Sequence, residues 1–392
     1  MKKINRSTAL RWAIVLIFIV ATIVTMVMIN RPDPDAVATS ASKLHYATAR
    51  VTAVVSDNTE ADYKNAEGRR VGLQELEILI LNGDHAGETM SMTNYLSALA
   101  NVDVGAGDRI IVQIVYNDNG TYYPTMHNYD RGIVMGFFLV AFIAVIILIG
   151  GKKGAKALLG LVYTLLCLWF ILIPLVLKGY NSILTAVTIA IITAAVSFVF
   201  LDGFTRKTLT ATLGCVGGLA VAGISAVIVG AITPLSGYNM GEAESLILQA
   251  TYEDVTISGL LVCGILIAAL GAVMDVAMSI SSAIHEMDSI TPGLPAQRIF
   301  KFGMDVGRDA MGTMANTLIL VFFGSSLNTL LLVKAYEYPF LQLINTDYIT
   351  IELLQGLSGT IGIVMTVPLV AAFSAWNITR SRKKMKKRVR KA

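Results

Sequence analysis

Two helical stripes of small and polar residues hold the acidic side chains that fall inside or beside the apolar part of this sequence. The first stripe consists of residues spaced three or four apart, which therefore lie on one face of a helix: Gly264, Ala268, Gly271, Asp275, Ser279, Ser282 and Glu286. The following segment repeats the pattern with Asp305, Asp309, Gly312 and Asn316. Because a carboxylate in hydrocarbon is costly, it faces protein or water, and by default it indicates a functional site.

Asp275 is the candidate for binding a cation or a proton at depth in a membrane, with the hydroxyls of Ser279 and Ser282 as neutral ligands. The alternative is structural, with Asp275 in a buried hydrogen bond to a neighbouring helix. Asp275 and Asp309 also match the number of carboxylates in an intramembrane aspartyl protease. The context of Asp275, GAVMD, differs from the GxGD of those enzymes and disfavours that interpretation.

Asp305, Arg308 and Asp309 form a charged group at the start of the second stripe. We expect them to gate or relay an ion on the cytoplasmic side, and Asn316 to hydrogen-bond across to the neighbouring helix. A solvated charged face is the competing interpretation of the same group.

The elements that must position these residues are apolar runs of membrane-spanning length. The chain is 55% hydrophobic and has a mean hydropathy of +0.65. Eight runs are long enough to predict transmembrane helices, at about 11–29, 132–150, 156–177, 183–201, 209–232, 257–284, 314–334 and 357–376. The stripes thus fall on the sixth and seventh predicted helices.

The distribution of basic residues predicts the orientation of these helices. Twenty-one of the 31 Lys and Arg residues lie at the N-terminus, in alternate loops or after residue 376, while the short loops of opposite parity carry only Lys178 and Lys334. By the positive-inside rule, both termini are cytoplasmic and 31–131 is external. Seven acids then fall in outer loops, namely Glu242, Glu244, Glu253, Asp254, Glu337, Asp347 and Glu352.

Residues 31–131 have the composition of a separate β domain. After a linker at 32–42, five short β-branched or alternating segments are separated by turn signals such as Asn119-Gly120. Five strands in so short a stretch predict a small all-β barrel, OB- or SH3-like, a fold that does not specify a function. The predicted organisation is 1–30, cytoplasmic start and signal anchor; 31–131, external β domain; 132–376, seven-helix membrane domain; and 377–392, polybasic cytoplasmic tail.

Glycine patterns on the fifth and eighth predicted helices indicate close helix contacts. The fifth run spaces Gly214, Gly218 and Ala222 four residues apart, as in helices whose backbones approach closely. The eighth run carries Gly356, Gly359 and Gly362, which make it a candidate pathway wall, although close packing explains the pattern equally well.

No motif indicates an enzyme, a cofactor or a metal site. Walker, HExxH and G-x-S-x-G motifs are absent, and His285-Glu286 lacks the second histidine of a zinc helix. Cys167, Cys215 and Cys263 each fall in a predicted span, where a small buried hydrophobe is expected. The basic tail favours anionic lipid headgroups rather than nucleic acid.

The segments AVMDVAMSISSAIHEM (272–287) and FGMDVGRDAMGTMANTLIL (302–320) resemble the YibE/F family of bacterial multi-pass membrane proteins. The basic start, anchor, β domain and seven further spans are similar to the longer, YibE-type member. The resemblance implies an architecture in a bacterial cytoplasmic membrane rather than a biochemical activity. It also implies a shorter YibF-like membrane partner, with a homo-oligomer as the alternative.

The function predicted from these observations is permeation or transport of a small solute or ion through helices six and seven. The alternative is a membrane scaffold or signalling protein that transports nothing and whose external β domain binds a ligand or partner. The two hypotheses differ in one structural requirement: transport needs a polar path that reaches Asp275, whereas a scaffold or signalling role does not.

Overall fold

The computed structural model describes residues 6–31, 45–117, 119–235 and 257–389. The predicted linker at 32–42 and the predicted outer-loop acids at 242–254 lie outside these ranges. The chain divides into two compact units, Asp33–Val145 and a unit that combines Met1–Pro32 with Ile146–Ala392. The first contains a β-sheet, and the second contains a helical bundle.

The sheet consists of five antiparallel strands. They are β1 (His45–Asp62), β2 (Arg69–Ile80), β3 (Thr89–Leu96), β4 (Arg109–Tyr116) and β5 (Tyr122–Tyr129). All five predicted strands are thereby confirmed. The predicted Asn119-Gly120 turn joins β4 to β5, and the Asn117 amide donates to the Thr121 carbonyl at 2.8 Å.

The strands are ordered β3-β2-β1-β4-β5, and the sheet curls so that its edge strands β3 and β5 approach each other. Alternate residues of the strands point to one side and are buried there, among them Ala49, Ile78 and Ile110. The predicted OB- or SH3-like barrel is not confirmed, because no ladder of hydrogen bonds joins β3 to β5 in the part of the chain that the structure describes.

The helices of the second unit follow the apolar runs. They are α1 (Arg6–Ile29), α2 (Gly132–Cys167), a π-helical turn at Leu168–Leu172, α3 (Ile173–Leu177), α4 (Ser182–Asp202), α5 (Arg206–Ile232), α6 (Ile257–Ile290), α7 (Ala296–Ser325), α8 (Leu327–Ala335), α9 (Phe340–Ile344) and α10 (Asp347–Val389). The first residues of α2 belong to the β-sheet unit. α10 continues without a break past residue 376, the predicted start of the tail.

α10 packs against α5, α6 and α7 and so holds the bundle together. Its contact with α5 depends on the predicted small residues, since Gly214, Gly218 and Ala222 are all buried. A Cβ atom on Gly218 would lie 1.8 Å from Thr366 Oγ1, so no larger residue fits that crossing. On α10, Gly359 faces Leu318 and Gly362 faces Ala222, so the glycines of the eighth run serve close packing.

The predicted eight spans are not confirmed. Within the described ranges, five helices are long and apolar enough to cross a membrane, or six if α7 and α8, bent by 61° around Ser326, form one span. Two predicted runs, 132–150 and 156–177, lie in one segment of 46 residues, Gly132–Leu177. Gly151 interrupts that segment with non-helical angles (φ 52°, ψ −135°), at the position where the sequence predicts a loop. The described apolar part of α1, Ile17–Ile29, is shorter than a full span.

Candidate functional site

Asp275 lies near the middle of α6, and its side chain is exposed on the surface of the bundle. The buried face of α6 contains Val276, Ala277, Ile280 and Ile284, so Asp275 points away from the core. No hydrogen bond or ion pair to Asp275 occurs within the described residues. Within the described residues, the structure therefore shows no hydrogen bond from Asp275 to a neighbouring helix.

The rest of the first stripe lies on the same exposed face of α6. Ala268, Gly271 and Ser279 are exposed, and Ser282 is half-buried. No neighbouring atom lies within 4 Å of the position that a Cβ of Gly271 would take. The predicted common face is thus present, and in a single chain it is uncovered.

The second stripe occupies the exposed face of α7. The opposite face carries Gly303 and Gly307, which are buried against α6 and α10. On the exposed face lie Asp305, Arg308, Asp309 and Asn316. Arg308 Nη1 donates to Asp305 Oδ1 at 3.4 Å, and both side chains are more than half exposed. A surface pair of this kind contributes little to stability.

α6 and α7 touch through apolar residues rather than through their polar stripes. Ile284 Cδ1 packs against Gly303, and Ile280 Cδ1 packs against Gly307. No hydrogen bond or ion pair joins Asp275, Ser279 or Ser282 to the charged group of α7 in the described ranges. The structure brings Asp305 and Arg308 together, and it leaves the two stripes as separate faces of one bundle.

A family model described as YibE/F-like protein matches residues 138–380. The chain belongs to this family. The YibE/F-like segment includes both stripes and every candidate residue on them, whereas α1 and the five strands precede it. Comparison with curated proteins and with solved structures gave no match. The family and the apolar helices together identify the chain as a membrane protein.

The YibE/F-like segment also contains a polar pair that the sequence does not predict. Ser326, between α7 and α8, is 3% exposed, and Glu352 of α10 is half-buried. Both line a cavity of 130 Å³ whose other walls are mainly Phe, Leu and Ile side chains. The Gly324-Ser325-Ser326 sequence inside an apolar run is a turn signal that marks this break.

Near the C-terminal end of α6, polar contacts join the ends of neighbouring helices. Arg382 of α10 pairs with Asp288 and also donates to the Leu294 carbonyl at 2.7 Å, while Lys207 of α5 pairs with Asp202 at 2.6 Å. His285 Nδ1 donates to the Ser281 carbonyl at 2.8 Å. At their predicted cytoplasmic ends, these contacts join α10 to α6 and α5 to α4.

The β-sheet unit encloses a polar network of its own. Gln74 and Asn94 are fully buried, and Asn94 Nδ2 donates to Gln74 Oε1 at 3.0 Å. Arg70 pairs with both Asp57 and Asp103. Hydrogen bonds from Thr59 and then from Arg70 hold the pKa of the Asp57 carboxyl well below its usual value. The pKa of Arg70 is raised in turn, chiefly by its hydrogen bond to Asp57.

The residues that the structure describes contain no group of three His, Cys, Asp or Glu side chains able to hold a metal ion. His85, one of the few histidines, instead stacks on Tyr122 at 3.9 Å between ring centres. Its Nε2 atom lies 2.9 Å from the Tyr116 hydroxyl.

Proposed function

We propose that this YibE/F-like protein forms a pathway for a small cation or a proton across the membrane, and that α6 supplies its central binding group. The observation that carries the proposal is the Asp275 carboxylate near the middle of an apolar helix, which has no partner among the described residues. A charge at that depth is costly in lipid, so it requires water or a protein partner. A carboxylate with hydroxyls one and two turns away, at Ser279 and Ser282, favours a cation over an anion.

A second subunit completes this pathway by covering the exposed stripe. Small residues allow two helix backbones to approach closely, and Ala268 and Gly271 provide such a surface beside Asp275. The covering subunit is a second copy of this chain or a shorter YibF-like protein. The pathway then lies between subunits, and a single chain leaves it open.

The exposed group on α7 serves the cytoplasmic end of the same pathway. Asp305, Arg308 and Asp309 present charges of both signs on one face, and Asn316 lies about two turns further along that face. In this proposal, the charged group gates or relays the cation, and Asn316 hydrogen-bonds to the covering subunit.

The proposal includes an orientation. The protein lies in the bacterial cytoplasmic membrane with both termini and the loop between α6 and α7 cytoplasmic, and with 31–131 external. The asymmetry of Lys and Arg supports this orientation. The basic C-terminal end of α10 then lies where anionic headgroups are enriched.

Charge movement in a reconstituted membrane tests the proposal. The purified full chain is placed in vesicles on a solid-supported electrode, and steps of H⁺, Na⁺ and K⁺ are applied. Wild type is expected to give a current for at least one of these cations. Asp275→Asn should abolish the current, because it keeps the volume and removes the charge, and Asp275→Glu should retain part of it. Asp84→Asn, the same change in the β-sheet unit, is the matched control.

Two results contradict the proposal. One is a wild type that gives no current, either alone or with a co-purified membrane partner. The other is an Asp275→Asn variant that retains the full wild-type current at equal protein content.

A receptor or scaffold role is the second candidate, and a cavity in the β-sheet unit favours it. A groove of 520 Å³ lies beside β3 and β5 and is lined by Tyr95 and Tyr123 together with Glu75. Tyr95 is 71% exposed, so its ring is accessible to a ligand or partner. If this role is correct, Tyr95→Ala with Tyr123→Ala abolishes the phenotype of the protein in cells, whereas Asp275→Asn leaves it intact.

A further inference from the structure

The break between α7 and α8 lies beside an acidic residue of a third helix. α7 ends at Ser325, α8 begins at Leu327, and the two helices are bent by 61°. Glu352 is in the second turn of α10 and lines the same cavity as Ser326 and Phe322. A broken helix within an apolar run is tolerated where its polar groups face protein or a cavity, and such breaks form ion sites in membrane proteins.

Two oxygen atoms at this break are buried and have no hydrogen-bond partner among the residues that the structure describes. They are Ser326 Oγ and Glu352 Oε2. The Ser326 and Tyr348 side chains lie beside the Glu352 carboxylate, yet neither of these two oxygens makes a hydrogen bond of good geometry. The main-chain groups of Ser326 are already used, since its amide donates to the Phe322 carbonyl at 3.1 Å and its carbonyl accepts from Leu330 at 3.0 Å.

No positive side chain among the described residues pairs with this carboxylate. The cavity walls come from α7, α8 and α10, and Glu352 is the one charged residue among them, with Phe323, Leu330 and Leu353 nearby. Lys334, the basic residue of α8, forms no ion pair with Glu352 in the described structure. Glu352 is half-buried, but its Oε2 atom is buried. A carboxylate oxygen buried without a cationic partner favours uptake of a proton or binding of a metal cation, since an uncompensated buried charge is costly.

We propose that the Glu352 carboxylate and the Ser326 hydroxyl form a binding site for a small monovalent cation, a proton or Na⁺, at the hinge between α7 and α8. Both cations neutralise a carboxylate and fit a cavity of 130 Å³. The site is separate from the Asp275 stripe and does not depend on its function. Loss or gain of the cation changes the charge at the hinge, which couples cation binding to the angle between α7 and α8.

Labelling with dicyclohexylcarbodiimide tests the site in the full chain in detergent, with mass spectrometry to locate the adduct. This apolar reagent attacks protonated carboxyls. Glu352 is expected to be labelled at neutral pH in Na⁺-free buffer, whereas the exposed acids Asp305 and Asp309 are not. Protection by Na⁺ but not by K⁺ assigns the site to Na⁺, and labelling unaffected by either ion assigns it to a proton.

A Glu352 that reacts only near pH 4.3, where a solvated glutamate titrates, overturns the proposal. A second measurement excludes a structural ion pair. Glu352→Gln imitates the protonated carboxyl, so in Na⁺-free buffer this variant should melt at or above the temperature of wild type. A clear fall in its melting temperature would show that the charge itself is needed for the fold, and it would also overturn the proposal. Neither result depends on transport through the Asp275 stripe.

Discussion

Gly307 of α7 and Val367 of α10 lie so close that a Cβ atom on Gly307 would be 2.1 Å from Val367 Cγ1. Ile280 of α6 reaches the same point at 3.0 Å, so three helices meet there. Gly307→Ala should therefore lower the stability of the bundle by about 1 to 3 kcal/mol, because the added methyl has no space and the helices must separate. Thermal melting of the purified protein in detergent measures the change.

Gly312→Ala provides the matched control on the same helix. Nothing lies within 4 Å of the position of its Cβ, so the substitution meets no obstacle. It should leave the melting temperature unchanged or raise it slightly, because Ala loses less conformational freedom than Gly in a helix. Equal stability of the Gly307 and Gly312 variants would show that the contact between α7 and α10 is not as close as described.

Crowding of the exposed stripe on α6 should disrupt the proposed covering subunit. Ala268→Leu adds bulk to the stripe that contains Asp275. Within the described part of a single chain, this face of α6 is exposed. We expect the variant to fold, to associate less in detergent, as measured by mass photometry, and to lose the charge movement of wild type. Ala220→Leu on α5 is the same change at an exposed position with no acidic residue nearby, and it should alter neither property. Wild-type association and current in Ala268→Leu would remove the basis for a pathway between subunits.

The orientation predicts which engineered cysteines an impermeant reagent reaches in intact cells. Lys64→Cys lies in the β-sheet unit and should be labelled from outside, whereas Ser289→Cys lies at the exposed end of α6 and should be labelled only after lysis. The background is low, because Cys167, Cys215 and Cys263 are all buried. Labelling of position 289 but not of position 64 in intact cells would show that the orientation is opposite to the proposed one.

The sequence alone predicts those structural features that depend on the residue pattern of a single strand or helix. Alternation along β1, β2 and β4 predicted the strands because one face of each is buried, and the spacing of Gly214, Gly218 and Ala222 predicted their contact face. Spacing also placed Asp275 and Ser279 on a common face. It could not show that this face is uncovered, because burial of a helix face depends on which other helices pack beside it.

The position of Glu352 in a helix could not be predicted from the apolar pattern of the sequence. The sequence predicts an outer loop for Glu352, because the continuous apolar run begins only at residue 357. α10 in fact begins at Asp347, since Ile349, Ile351 and Leu354 are buried against the bundle. Isolated apolar residues between polar ones form a helix here through tertiary contacts that a search for apolar runs does not detect.

Acid should destabilise the β-sheet unit through Asp57. Thr59 Oγ1 donates to its carboxylate at 2.6 Å, and Arg70 pairs with it across β1 and β2. Because these contacts lower the pKa of the folded carboxyl, their stabilisation is complete above the unfolded pKa of about 3.9 and is lost as the pH falls toward the folded pKa. The same sign holds for Asp62 and Glu88, whose pKa values are also lowered by hydrogen bonds, chiefly from Asn65 and Tyr122 respectively.

Hydrogen–deuterium exchange of the full chain, expressed as protection factors for β1 and β2, measures this dependence. Protection should fall below about pH 4 in wild type. Asp57→Asn should reduce protection already at neutral pH and flatten its pH dependence, because the amide accepts the same hydrogen bonds more weakly and carries no charge for Arg70. Asp84→Asn, which changes an exposed aspartate without a hydrogen-bond partner in the described residues, should follow wild type at every pH. If Asp57→Asn follows wild type as well, the pairing with Arg70 and Thr59 does not stabilise the sheet.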